Sequence, residues 1–134
     1  MPTPPPGHSP FKSKGGPQRV VNALRYSLQG LRAALKHEAA FRQEAALAVV
    51  MVPAAFWLGR SLLETVVLLA TVMLVLVTEL LNSAVEAVAD ALTVEPHPLI
   101  GRAKDLGSAA VMITLIFAGI VWLAVIADRW QWLG

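Results

Sequence analysis

An all-α membrane protein is the fold class this sequence predicts, and three observations carry that prediction. Apolar runs stand at about 40–58, 62–90 and 107–127, lengths that approach or exceed the bilayer core. The segment before them has helical spacing rather than strand alternation. Basic residues gather before and between the runs, where a cytoplasmic membrane face attracts them. With 134 residues, 56% of them hydrophobic, and a mean hydropathy of +0.61, the chain has room for one membrane domain. It has no cysteine, which excludes disulfide, thiol and zinc-finger chemistry. A pI near 9.4 would suit nucleic acid, but the positions of the basic residues argue against such a partner.

Residues 1–18 open the chain. Met1 to Pro17 holds six prolines and three glycines, so a disordered cytoplasmic tail is expected. No apolar stretch directly follows its lysines, which argues against a signal peptide. From Val20 to Lys36 the pattern becomes amphipathic. Val21, Leu24, Leu28, Leu31 and Leu35 recur at spacings of 3, 4, 3 and 4, and Asn22, Arg25, Gln29, Arg32 and Lys36 follow one residue on. This predicts a surface helix over 19–37 lying in the lipid interface, with an ordinary soluble-core helix as the alternative.

The first span, 40–58, needs Ala39 to Phe41 to reach bilayer length; Trp57 suits an interfacial anchor and Gly59-Arg60-Ser61 a tight turn. The second span has Thr71 as its one polar interruption between Val66 and Val77. Thr93 to Arg102, with two prolines and a glycine, reads as a loop. A third span follows, with Trp122, Trp130 and Trp132 read as an aromatic belt at its outer end. Nine basic residues (Lys12, Lys14, Arg19, Arg25, Arg32, Lys36, Arg42, Arg102, Lys104) then fall on one side and two, Arg60 and Arg129, on the other. That count places the amino terminus and the 91–107 connection in the cytoplasm of a multi-pass inner-membrane protein.

The end of the second span is the unusual stretch. Glu79, Asn82, Glu86 and Asp90 are separated by 3, 4 and 4 residues and so share one helix face. A carboxylate beside lipid costs about 2.5–3.5 kcal/mol on insertion scales, so the line of acids calls for a function. Glu38, Glu44, Glu95, His97, Arg102, Lys104 and Asp105 fall at the same membrane face. Paired carboxylates suit Mg²⁺ with its remaining positions left for water and phosphate, and Lys and Arg suit phosphate oxygens. A deeper acid such as Glu79 suits a general base. Other readings stay open on residues alone: a proton or ion path through the acids, or helix-locking pairs with Arg102 and Lys104. Glu38 reads equally as a surface cap, and His97 as a loop residue. No GxxxxGK[ST] or GxGxxG motif occurs, so a kinase here would be neither P-loop nor protein-kinase-like. Three spans enclose little volume, so an oligomer is expected.

GLRAALKHEAAFRQE at 30–44, ELLNSAVEAVAD at 79–90 and GRAKDLGSAAV at 101–111 together resemble the prokaryotic integral-membrane diacylglycerol kinase family, over roughly Arg19 to the end. The resemblance implies a homotrimer with active sites shared between neighbours, transferring the γ-phosphoryl group of MgATP to diacylglycerol. It implies Glu79 as general base and Glu38 and Glu86 as holders of the Mg²⁺. Arg19, Tyr26, Glu95, His97, Lys104 and Asp105 would surround the nucleotide; Glu44, Asn82, Asp90 and Ser108 would support the site or the lipid headgroup. The chain departs from a relative at Gln29, Ala91 and Pro96, which stand in place of lysine, arginine and tyrosine on the nucleotide side. An undecaprenol-phosphorylating branch carries NTAIE where this chain has NSAVE, so the diacylglycerol branch is the nearer likeness.

Overall fold

The computed structural model describes residues 15–133. Gly16 to Gln18 already belong to the first helix, and residues 1–14 of the proline-rich tail lie outside the described residues. Four helices follow: α1 (Gly16–His37), α2 (Ala39–Leu58), α3 (Leu62–Leu92) and α4 (Pro98–Leu133), with no strand among the described residues. The chain divides into two compact units at Ala33/Ala34.

The first unit is α1 without its last turn. Val21, Leu24, Leu28 and Leu31 form an apolar stripe that is exposed throughout. On the polar side Gln18 and Arg25 both donate to Asn22 Oδ1 at 3.3 Å, and the Arg25 guanidinium lies 5.6 Å from the Tyr26 ring centroid.

The second unit begins with the end of α1. Glu38 adopts an extended backbone between α1 and α2 and makes no side-chain cap. Arg42 instead reaches back to the carbonyls of Leu35 and Lys36 at 3.1 and 3.0 Å, satisfying groups that a helix end leaves bare. Between α2 and α3 the chain turns through Gly59, where any Cβ would overlap the Thr65 hydroxyl; the requirement there is space. Ser61 then caps α3 by accepting from the Glu64 amide at 3.1 Å, while Glu64 accepts from the Arg60 amide at 2.8 Å, a variant of the capping box. Arg60 also pairs with Asp128 of α4, and Arg129 donates to the Leu58 carbonyl at 3.1 Å while stacking 4.9 Å above Trp57. These polar ties close one end of the bundle.

α3 is the central helix, packed against both α2 and α4, which touch each other little. A third of its apolar window is buried (33%), against 11% for each of the others, so most of the remaining apolar surface faces outward as lipid requires. All three helices are long and apolar enough to cross a membrane. The core joins Ala55 and Leu58 of α2, Leu68 and Val72 of α3, and Trp122 of α4.

Trp122 corrects an expectation. It is 6% exposed and belongs to the core rather than to an interfacial belt, because its indole N–H finds Thr71 Oγ1 at 2.9 Å. The Thr71 hydroxyl in turn donates to the Leu68 carbonyl at 2.7 Å, so both polar groups are satisfied inside the bundle. Thr71→Val keeps the shape and strands the indole donor. The expected loss of stability is about 0.6 kcal/mol, and no more than about 1.7, the range for such bonds between membrane helices. Reversible unfolding in mixed micelles measures it; no change would mean that water or lipid replaces the threonine.

The 93–102 loop is shorter than expected. α4 starts at Pro98, since proline is well suited to the first helical position, where its missing N–H is not needed. His97 Nδ1 accepts from the Leu99 amide at 3.2 Å and takes the capping role. Thr93 accepts from the Glu95 amide at 2.9 Å and tightens the turn. Arg102, Lys104 and Asp105 are therefore held on a helix.

Candidate active site at the α3–α4 turn

The antiparallel order of α2, α3 and α4 brings the start of α2, the end of α3 and the start of α4 to the same end of the bundle. The spacing of the acids on α3 turns Glu79 and Asn82 inward: they are 5% and 9% exposed, with Glu86 half-buried and Asp90 exposed at the rim. Glu44, two turns into α2, is half-buried, and its Oε2 is enclosed without a partner. Glu44 lies within electrostatic reach of Glu79, and Glu79 within reach of Glu86 and Glu38. Among the described residues none of these four carboxylates forms an ion pair. Like charges gathered in this way repel, and Lys104 at the rim acts on Glu86 from a distance while its own bond goes to Asp90.

Asn82 connects the two halves of the acid line. Its Nδ2 donates to Glu86 Oε1 at 3.4 Å, while its Oδ1 is buried and unpartnered. Next to it Ser83 is also buried with a free hydroxyl oxygen. Sequence reasoning passed over Ser83, although it stands four residues from Glu79 and so shares its face.

Beyond Glu86 lies an open cleft of about 680 Å³, lined by Asp90, Thr93, Glu95, His97, Gly101 and Lys104 among others. Lys104 Nζ donates to Asp90 Oδ1 at 2.6 Å across the α3–α4 turn, and Glu95 and His97 are exposed on the connecting segment. Asp105 and Ser108 are exposed on α4. Thus the second unit brings Glu38, Glu44, Glu79, Asn82 and Glu86 into one acid site, with Asp90, Glu95, His97 and Lys104 lining the cleft next to it. Arg19 and Tyr26 stand exposed on α1 in the first unit.

No group of three or more acidic or histidine side chains converges on a metal position among the described residues. A hard cation that keeps most of its shell for water and phosphate needs only one or two carboxylates. Glu38 makes no capping bond, and Glu86 accepts from Asn82 Nδ2 at 3.4 Å.

Comparison with known proteins identifies the family. The family model described as prokaryotic diacylglycerol kinase matches residues 25–126. A diacylglycerol kinase of Haemophilus influenzae is 50% identical over 107 residues, covering 80% of this chain and 91% of that protein. One from Pseudomonas aeruginosa is 46% identical over 118 residues, covering 88% of this chain and 96% of its own length. One from Escherichia coli is 51% identical over 104 residues, covering 78% and 85%. Matched through α2, α3 and most of α4, and identical to these proteins at about half of the aligned positions along nearly their whole length, the chain belongs to the prokaryotic diacylglycerol kinase family.

Proposed function

We propose that the protein is a lipid kinase that transfers the γ-phosphoryl group of ATP to the free hydroxyl of diacylglycerol, giving phosphatidic acid and ADP. One observation carries the reading. Four carboxylates, none of them in an ion pair among the described residues, are gathered beside an open cleft lined by Lys104, an arrangement that supports charge supplied by a bound ligand. A lipid acceptor meets its phosphoryl donor at the boundary between an apolar bundle and water, and that is where these groups lie.

Glu79, the deepest acid of the line, accepts the hydroxyl proton as the lipid oxygen bonds to the γ-phosphorus and the bond to ADP breaks. Glu38 and Glu86 hold Mg²⁺ in this reading; when bound, the ion neutralises phosphate charge. Lys104 and Asp105, with Glu95 and His97 on the connecting segment, surround the nucleotide. Glu44, Asn82, Asp90 and Ser108 position the site and the lipid headgroup. Positioning and electrostatics dominate, as they do in phosphoryl transfer generally. Transfer is direct, without a phosphorylated enzyme.

The nine-to-two distribution of basic residues supports an inner-membrane protein with its amino terminus and active end in the cytoplasm, and with α1 on the membrane surface. Residues 19–134 form the catalytic domain. Three spans are too few to enclose a polar site, which supports a homotrimer in which neighbouring copies complete each site.

The test is transfer of labelled γ-phosphate from MgATP in mixed micelles, with diacylglycerol and undecaprenol offered side by side. Labelled phosphatidic acid as the main product is the expected result. Preferred labelling of undecaprenol would move the protein to another acceptor, and labelling of neither lipid would overturn the kinase reading. A phosphorylated protein that chases to product would overturn direct transfer.

A further inference from the structure

Gly107 of α4 faces Asn82 of α3. A Cβ at Gly107 would overlap Asn82 Oδ1, lie 3.3 Å from its Cγ and 3.8 Å from its Cα, and meet nothing nearer. A Cβ there would thus displace the carboxamide of one side chain and leave the α3 backbone in ordinary contact. Its own backbone is ordinary helix, so conformational freedom is not the reason for it. Gly101 and Gly119 on the same helix have open space where a Cβ would go. With Oδ1 lodged against the glycine, the amide has its Nδ2 turned to Glu86 Oε1 at 3.4 Å. Oδ1 accepts no hydrogen bond there, so its place is set by the close approach of α4.

We infer that Gly107 is a positioning residue for phosphoryl transfer: it seats the Asn82 carboxamide, which in turn orients the Glu86 carboxylate toward the cation that accompanies the nucleotide. The inference rests on the reading of Glu86 as a metal-holding residue. Partners behind a metal ligand commonly change metal affinity about 10- to 100-fold when they are lost. A methyl at residue 107 pushes the carboxamide aside, and Glu86 loses its donor without any change in its own chemistry.

Two measurements test this. The first is binding of Mn²⁺ in place of Mg²⁺, followed by its electron spin resonance signal, to full-length protein in micelles with a non-hydrolysable ATP analogue. Gly107→Ala should weaken Mn²⁺ binding about tenfold or more, with Gly119→Ala, the same change in the same helix, close to wild type. Wild-type affinity in Gly107→Ala would overturn the inference, and if wild type meanwhile phosphorylates diacylglycerol, the kinase reading survives that failure.

The second is a stability cycle that needs no metal. Gly107→Ala should destabilise the wild-type background and be nearly harmless in Asn82→Ala, where the overlapping atoms are gone. Should Gly107→Ala fail to fold alone, recovery in the double variant supports the contact. An equal penalty in both backgrounds, or failure of both to fold, would overturn it.

Discussion

Glu79→Gln is expected to abolish most phosphoryl transfer while leaving the protein folded and able to bind nucleotide. The substitution keeps the volume and planarity of a side chain that is only 5% exposed, and removes its capacity to take a proton. A positioned general base contributes about 10²- to 10⁴-fold, and the turnover number should fall by that factor. The apparent KM for ATP should move little, because the proposed nucleotide contacts lie at the rim, on Lys104 and the connecting segment. Stability should hold or rise. Glu79 sits within reach of Glu38, Glu44 and Glu86 with no cation among the described residues paired to any of them, and a neutral amide relieves repulsion as well as the cost of an isolated buried charge. Thermal unfolding in micelles beside steady-state kinetics gives both readings. A Glu79→Gln variant that keeps its turnover within tenfold removes Glu79 as the base. One that loses turnover only because it has unfolded leaves the acid with a structural part.

That expectation was legible in the sequence because periodicity is local. The 3, 4, 4 spacing from Glu79 to Asp90 dictates a shared face whatever surrounds it, and α3 presents that face inward at Glu79 and Asn82. The amphipathic stripe of α1 and the three long apolar helices follow from the same kind of pattern. Where a residue's environment depends on a partner far along the chain, the pattern was silent. Trp122 looked like one of three interfacial tryptophans until Thr71, 51 residues away, supplied an acceptor inside the bundle. Pro98 read as a helix breaker and proved to be a helix starter, because the cap comes from His97 just before it. Gly107 carried no signal at all: a small residue in a membrane helix has many uses, and only its distance from Asn82 shows which one applies. Glu38 was ambiguous for a related reason, since a cap and an uncommitted carboxylate differ by one hydrogen bond, which Glu38 does not make.

Lys104→Ala should separate the kinase from a carboxylate relay more sharply than any change to the acids. In a proton or ion path the lysine has no task, and conduction through Glu79 and Glu86 would survive its loss. In the kinase it lines the cleft beside the phosphate-accepting region, and loss of a cation aimed at developing charge is worth about 10²- to 10³-fold in rate. The fold gives little reason for any other effect. Lys104 and Asp90 pair at 2.6 Å, but their side chains are 42% and 64% exposed, and ion pairs that open to water add little to stability. The melting temperature should therefore stay near wild type while kcat/KM for ATP collapses. Lys104→Arg should restore only part of it, because a planar guanidinium does not replace a compact ammonium at one phosphate oxygen. Asp90→Asn gives the counterpart, freeing the lysine from its partner and leaving the melting temperature nearly unchanged. If Lys104→Ala lowers melting and activity together and Lys104→Arg recovers both, the lysine serves the α3–α4 turn, and the phosphates must be met by other cations.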